Sequence, residues 1–313
     1  MESNVILQNI TIVICTHNRS DLLLQTIHSI NHAHCLTDIN LSLLVIANAC
    51  SDDTLHKLQL YKEKNILPPI YFEEEPIPGK SHALIRAVNL INEGYICFID
   101  DDHRVDKHYF CTVINAIKSQ PDISIFCGQI IPDWTSQEPE WIHDQGQYKI
   151  YPLPIPHFEL GTQPMLVKHG VKLPGGGNLI VNRNVFNQVG HFSTELGPKG
   201  HNLSGSEDSD FILRVLKANL TIQYVPGIIQ YHYVDEERLK FNYLVRKSFQ
   251  RTRSLTKTKH PNSQPVPLYL WRKLFSYTGH FLFSLNLQKT RFYAMRIAST
   301  LGEIVGLRES INK

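Results

Sequence analysis

Four nearly unbroken apolar runs constrain this chain more than any other feature. They are ITIVICT (10–16), LSLLVIAN (41–48), YICFID (95–100) and ISIFCGQI (123–130), all rich in β-branched residues. None alternates polar with apolar, so each reads as a strand covered on both faces. IYFEE (70–74) is a fifth strand. Helix patterns fill the gaps: one from about Asp21 to His34, one capped by Ser51 or Asp52, and a stripe of Ala83, Leu84, Ala87, Val88 and Ile91 after Gly79. Strand–helix alternation with short links predicts an α/β fold with a mainly parallel sheet and helices on both faces.

Regularity lapses over 131–174, a Pro-, Trp-, Tyr- and His-rich stretch of the kind that is usually functional. GGGNLIVN (175–182) resumes the sheet. A helix over 208–218 follows, then strands at 220–225 and 227–233 and a helix from Asp235 to about Arg253. KTKHPNSQPVP (257–267) has linker composition, and 268–308 is helical and amphipathic. No run of 18 apolar residues occurs, so no membrane-spanning helix is expected. The first residues read as a core strand rather than a signal peptide, which predicts a cytosolic protein. The six cysteines lack CxxC spacing and are expected to be free, mostly buried thiols.

In open α/β sheets, ligands bind beyond the carboxyl ends of the strands. Polar clusters fall there: Thr16–Arg19, Asn48–Thr54, Glu73–Glu75 and Asp100–His103. Three adjacent carboxylates, Asp100, Asp101 and Asp102, repel one another. A divalent cation, Mg2+ or Mn2+, would compensate, although a solvated turn with a helix cap explains the triplet equally well. Glu207 and Asp208 open a helical run. They read as favourable helix-start charges or as a general base for a hydroxyl nucleophile. His232 ends an apolar strand and by itself reads first as a structural histidine. Gly175–Gly177 followed by Asn178 permits close backbone approach to a ligand. GxGxxG after the first strand, GxxxxGK[ST], HExxH and GxSxG are all missing, which removes dinucleotide, P-loop, zincin and serine-hydrolase readings.

Together these segments resemble family 2 glycosyltransferases of the GT-A fold, from about Ile10 to Arg253. TIVICTHNR (11–19) is similar to the family's opening strand and loop, NACSDDT (48–54) to its N-x-S-x-D-x-T loop, and FIDDD (98–102) to its D-x-D strand. GHF (190–192), GSEDSD (205–210), Arg214, Pro226 and His232 follow the family's order and spacing. The resemblance implies a GT-A domain over 1–256, with a nucleotide-binding half to about 130 and an acceptor half from 131, followed by a basic helical tail over 257–313. It implies Asp208 as general base with Glu207 beside it. Thr16, Asn18, Arg19, Asn48, Asp52, Asp100 and Asp101 would line the nucleotide. Asp102 would be the metal ligand, with Asp100 and His232 completing that site, and Gly177, Asn178 and Trp141 would lie on the acceptor side. The implied activity is inverting, metal-dependent transfer from a sugar nucleotide to a glycan or lipid-linked acceptor in surface polysaccharide or lipid-linked glycan synthesis. Ala47, Cys50 and Ile85 depart from the family's usual residues, and the processive enzymes' Q-x-x-R-W is absent. A sugar-phosphate nucleotidyltransferase would favour a Gly/Lys/Arg-rich first loop, which THNRSD is not. A non-catalytic glycan- or nucleotide-binding protein would not need intact acidic clusters.

Charge is divided along the chain. Residues 1–235 carry 16 Lys/Arg against 25 Asp/Glu, and residues 236–313 carry 15 against 4. Thirteen basic residues and no acid lie between Arg238 and Arg296, interleaved with aromatic and aliphatic side chains. This suits a helix lying on an anionic membrane surface, at the inner face of the membrane. The alternative packs that apolar face on the catalytic domain or on a second copy in a homodimer. No nucleic-acid recognition module is present.

Overall fold

Ile12 and Ile14 of the first strand pack on one side of the sheet and Val13 on the other, into separate cores. That two-sided burial is what an unbroken apolar strand demands. The computed structural model describes residues 9–33, 39–64, 67–194, 207–260 and 262–309. Contacts divide these into two compact units, one of 1–132 with 157–233 and the other of 133–156 with 234–313.

In the first unit, β1 (Ile10–Thr16), α1 (Ser20–His32), β2 (Leu41–Asn48), α2 (Thr54–Lys62), β3 (Ile70–Glu75), α3 (Lys80–Leu90) and β4 (Tyr95–Phe98) alternate as expected. β5 (His103–Val105), α4 (Tyr109–Ser119), β6 (Ile125–Pro132), β7 (Met165–Leu166), β8 (Leu179–Asn182), α5 (Asn184–Val189), α6 (Glu207–Lys217) and β9 (Ile222–His232) complete it. The sheet order is β3-β2-β1-β4-β8-β6-β9-β5, with β7 on β9. β1 runs parallel to β2 and β4, β2 to β3, and β6 to β9; β8, β5 and β7 pair antiparallel. Leu23, Ile27 and Ile30 of α1 cover one face, and Ala83, Leu84, Ala87 and Val88 of α3 the other.

The two strands expected over 220–233 are one, β9. The Pro226–Gly227 step bends it without ending it, at a register shift against β6 between Cys127 and Gln129. Gly128 makes this bend possible: a Cβ there would lie 1.9 Å from the Ile228 carbonyl oxygen. Cys15, Cys50, Cys97 and Cys127 are free thiols, but Cys111 is disulfide-bonded, against the expectation of free cysteines throughout.

The second unit contains α7 (Glu236–Leu239), α8 (Phe241–Lys259), α9 (Leu268–Leu282) and α10 (Leu287–Arg308). The tail expected from 257 thus shares a unit with 234–256 and with part of the irregular stretch, and α8 runs on to Lys259. α8 and α10 approach closely through small residues. A Cβ on Gly302 would sit 2.3 Å from the Phe249 carbonyl oxygen, and one on Gly306 2.7 Å from that of Arg253. Ser248 Oγ donates to the Met295 carbonyl at 2.9 Å across the same seam. Among the described residues, no helix is long and apolar enough to cross a membrane.

Candidate functional site

The triplet Asp100–Asp102 leaves β4 and turns directly into β5, whose His103 pairs with His232 of β9 in antiparallel register. This cross-strand pairing sets two imidazoles beside the acidic turn, with ring centroids 4.8 Å apart. Three ligating atoms, one each from Asp102, His103 and His232, lie within 4.8 Å of one another. His232 Nε2 is 3.8 Å from Asp102 Oδ2, and His103 Nε2 is 3.9 Å from Oδ1 of the same carboxylate. His232 Nδ1 lies 2.8 Å from the Tyr233 carbonyl oxygen. An oxygen there can only accept, so Nδ1 is the donor and Nε2 is the nitrogen turned toward Asp102. The set is chemically suited to a divalent transition cation, with both imidazoles oriented from behind.

The neighbouring carboxylates have other partners. Asp101 is buried, accepts from Thr16 Oγ1 at 2.8 Å and pairs with Arg19 at 3.1 Å. Arg19 also reaches Asp102 at 3.1 Å. Burial, then the charge of Asp102, pushes the Asp101 carboxyl up to about 6 against the opposing pull of Arg19. Asp100, expected to help hold the cation, binds Lys80 Nζ at 2.6 Å through Oδ1, and its Oδ2 lies 4.0 Å from His103 Nε2. Burial, the largest single influence, would raise Asp100, but Lys80 together with His103 and His232 outweighs it and holds the group well below the usual carboxylate range.

Asp208 stands in the first turn of α6, facing Lys80, Asp100 and Gly176 across a narrow cleft lined also by Val13, Phe98 and Phe192. Its Oδ2 accepts the Gly176 N–H at 2.8 Å, while its buried Oδ1 has no hydrogen-bond partner among the described residues. Burial lifts its carboxyl above the ordinary value, and Lys80 and the Gly176 N–H oppose that. Lys80 itself is raised: burial works against its charge, but Asp100, Asp208 and Glu207 outweigh that. The glycines expected to permit close approach do so toward carboxylates of the chain itself. A Cβ on Gly176 would lie 2.2 Å from Asp208 Oδ1, and one on Gly177 2.5 Å from Asp100 Oδ2. Glu207 is buried beside Asp208, and Gly205 and Ser206 lie outside the described residues.

The remaining sequence candidates build the frame. Asn178 is buried with its polar atoms taken up inside the protein: Nδ2 donates to the Gln129 and Ile228 carbonyls, and Oδ1 accepts from Tyr109 and Gln230. Asn48 ties down the loop before α3 through Glu75, Ile77 and Gly79. Asn18, at φ 52°, accepts the Ser51 and Asp52 N–H groups, and Asp52 Oδ1 accepts from the Thr54 N–H and hydroxyl. Trp141 belongs to the second unit, where it packs against Phe241 and lies under the Arg291 guanidinium. Sequence reasoning set His103 in the ligand-side cluster without giving it a role, and gave Lys80 none. His103 directly follows the triplet, and Lys80 stands between Gly79 and the α3 stripe, but neither spacing says that they converge.

Residues 11–190 match the family described as Glycosyl transferase family 2. A glucosyl-dolichyl phosphate glucuronosyltransferase of Haloferax volcanii is 23% identical over 172 residues, 55% of this chain. The matched stretch spans about half (53%) of that relative. Among solved structures, a Pyrobaculum calidifontis mannosyltransferase, PcManGT, in complex with GDP-Man and Mn2+ superposes with TM-score 0.56 at 15% identity, over 92% of this chain and 73% of that one. S. aureus TarS gives TM-score 0.54 at 11% identity, over 91% and 47%. At these identities the structural matches establish the GT-A fold alone.

Proposed function

The chain belongs to glycosyl transferase family 2, and from that premise we propose that it moves a glycosyl group from a sugar nucleotide to an acceptor hydroxyl, with inversion and with a divalent cation at Asp102 and His232. The observation that carries this reading is the placement of Asp208. It is a half-buried carboxylate with one oxygen fixed by the Gly176 N–H and the other buried without a hydrogen-bond partner among the described residues, and it shares a cleft with Asp100 and Lys80. A cation held by Asp102 and His232 would neutralise charge on the departing diphosphate. Asp208 Oδ1 takes the acceptor proton as the hydroxyl attacks, and its raised basicity suits that task. The Lys80 ammonium keeps Asp100 ionised and oriented and tempers the rise at Asp208. Thr16 and Arg19 hold the buried Asp101 behind the cation-binding Asp102.

Calorimetry of nucleoside diphosphates with and without Mn2+ tests the donor side. Cation-dependent binding, lost in Asp102→Asn, supports the reading; binding indifferent to cation and to that substitution removes it.

We extend the proposal to the acceptor, which we infer to be a lipid-linked glycan at an anionic membrane surface. The matched relative's name specifies a dolichyl phosphate-linked sugar. Leu268, Phe275 and Leu282 recur every seven residues along α9 and are all exposed, and Phe283, Leu285 and Leu287 extend this apolar row around the turn into α10. No acid interrupts the sequence from Arg238 to Arg296, so anionic headgroups meet little repulsion; each nearby Lys or Arg adds about 1 kcal/mol. Full-length protein should float with anionic liposomes at low salt, and Phe275→Glu with Phe283→Glu should abolish this. Flotation unchanged by that pair removes the α9 surface from the role.

A further inference from the structure

We propose that His103 is a third protein ligand of the cation held at Asp102 and His232, making the donor set two imidazole nitrogens and one carboxylate. The proposal rests on the cation-dependent reading above.

His103 is almost wholly buried, with a side chain 1% exposed. Its Nδ1 lies 2.5 Å from Gln230 Oε1. The amide orientation of Gln230 is fixed by its other end, whose Nε2 donates to the Tyr109 hydroxyl at 2.9 Å and to Asn178 Oδ1 at 3.0 Å. The oxygen facing His103 can therefore only accept, so Nδ1 is the donor to Gln230 and Nε2 is the ring nitrogen turned toward the acidic turn. That Nε2 has no hydrogen-bond partner among the described residues. Asp102 Oδ1 and Asp100 Oδ2, at 3.9 and 4.0 Å, are beyond hydrogen-bond reach. A buried ring nitrogen without a partner, aimed at a carboxylate, is the arrangement a cation resolves. The chain also maintains it: Gly177 leaves room for the ring, since a Cβ there would lie 2.9 Å from His103 Cε1.

Two imidazoles and one carboxylate favour Mn2+ and later transition ions over Mg2+, which prefers oxygen. Histidine is thus the residue that sets cation choice, while Asp102 supplies the charge.

The test uses the full chain labelled with 15N at histidine and 113Cd2+ as probe. Two histidine Nε2 signals coupled to cadmium are expected, with one lost in His103→Gln. In the same variant, Mn2+ affinity read by electron paramagnetic resonance should fall at least about tenfold, the scale on which even the loss of supporting groups acts. Mg2+ should displace cadmium from the wild type only in large excess. A single coupled histidine in the wild type overturns the proposal even if the variant does not fold, and so does an unchanged Mn2+ affinity in folded His103→Gln. No coupling at all, with no Mn2+ binding in the presence of a nucleoside diphosphate, overturns it together with the cation reading.

Discussion

Gly176→Ala isolates the placement of the base. Gly176 has ordinary extended-to-helical neighbours and no positive φ, so alanine introduces no backbone strain of its own. The new Cβ would lie 2.2 Å from Asp208 Oδ1, 2.6 Å from Cγ and 2.9 Å from Oδ2. Ordinary contact begins near 3.4 Å, so the carboxyl must retreat by roughly 1 Å and its bond to the Gly176 N–H is broken or bent. A misplacement of about 1 Å at a reacting group costs ~100-fold in rate, and overpacking costs ~1–3 kcal/mol of stability. The three atoms nearest the new Cβ all belong to Asp208, and none to Asp102, His103 or His232. Cation-dependent nucleoside diphosphate binding, measured by calorimetry, should therefore stay near wild type while turnover falls. Gly175→Ala is the control, because a Cβ there meets nothing within 4 Å among the described residues, and it should retain near-full turnover. Equal turnover in the two variants, or a loss residing in nucleotide affinity alone, would refute the reasoning.

Asp208→Asn should abolish turnover and leave nucleoside diphosphate binding intact, as read by single-turnover kinetics beside calorimetry. The raised Asp208 carboxyl predicts that activity is lost on acidification at a higher pH than an ordinary carboxylate would give, because the base works only when ionised. Lys80→Met removes a charge that lowers this group, so the acidic limb of the pH–rate profile should move to still higher pH. Lys80→Arg should restore it. In the second unit, Gly302→Ala should destabilise by ~1–3 kcal/mol in denaturant unfolding, because its Cβ would strike the Phe249 carbonyl. Gly279→Ala, with open space in α9, should stabilise by ~1 kcal/mol through helix propensity.

The parallel half of the sheet was legible because β1, β2 and β4 are buried on both faces, and an unbroken apolar run has few other meanings. β5 and β7, of three and two residues, are too short to show a period. β9 looked like two strands because Pro226 and Gly227 are breakers by habit; the bend is absorbed where Gly128 lets two backbones nearly touch. The acidic clusters were visible as adjacent carboxylates, but their division of labour was not. Lys80 claims Asp100 from α3, 20 residues away, and no spacing rule predicts that pairing. His103 acquires its meaning from Gln230, 127 residues on. The family resemblance placed Asn48 at the nucleotide and Asn178 on the acceptor side; in the fold their side chains bond backbone groups that would otherwise be buried unpaired. The partnership of 133–156 with 234–313 was hidden for the same reason: sequence composition marks linkers but not which distant segments pack together.

The central claim is cation-dependent, inverting transfer with Asp208 as base, and it can be read with water as acceptor. A panel of sugar nucleotides would be incubated with Mn2+ and followed by proton NMR during the first minutes, before the released sugar equilibrates. The account predicts that at least one α-linked donor releases its sugar first as the β anomer together with nucleoside diphosphate, and that chelator or Asp208→Asn stops the release. First appearance of the α anomer, release that persists in chelator, or pyrophosphate as the product would contradict it.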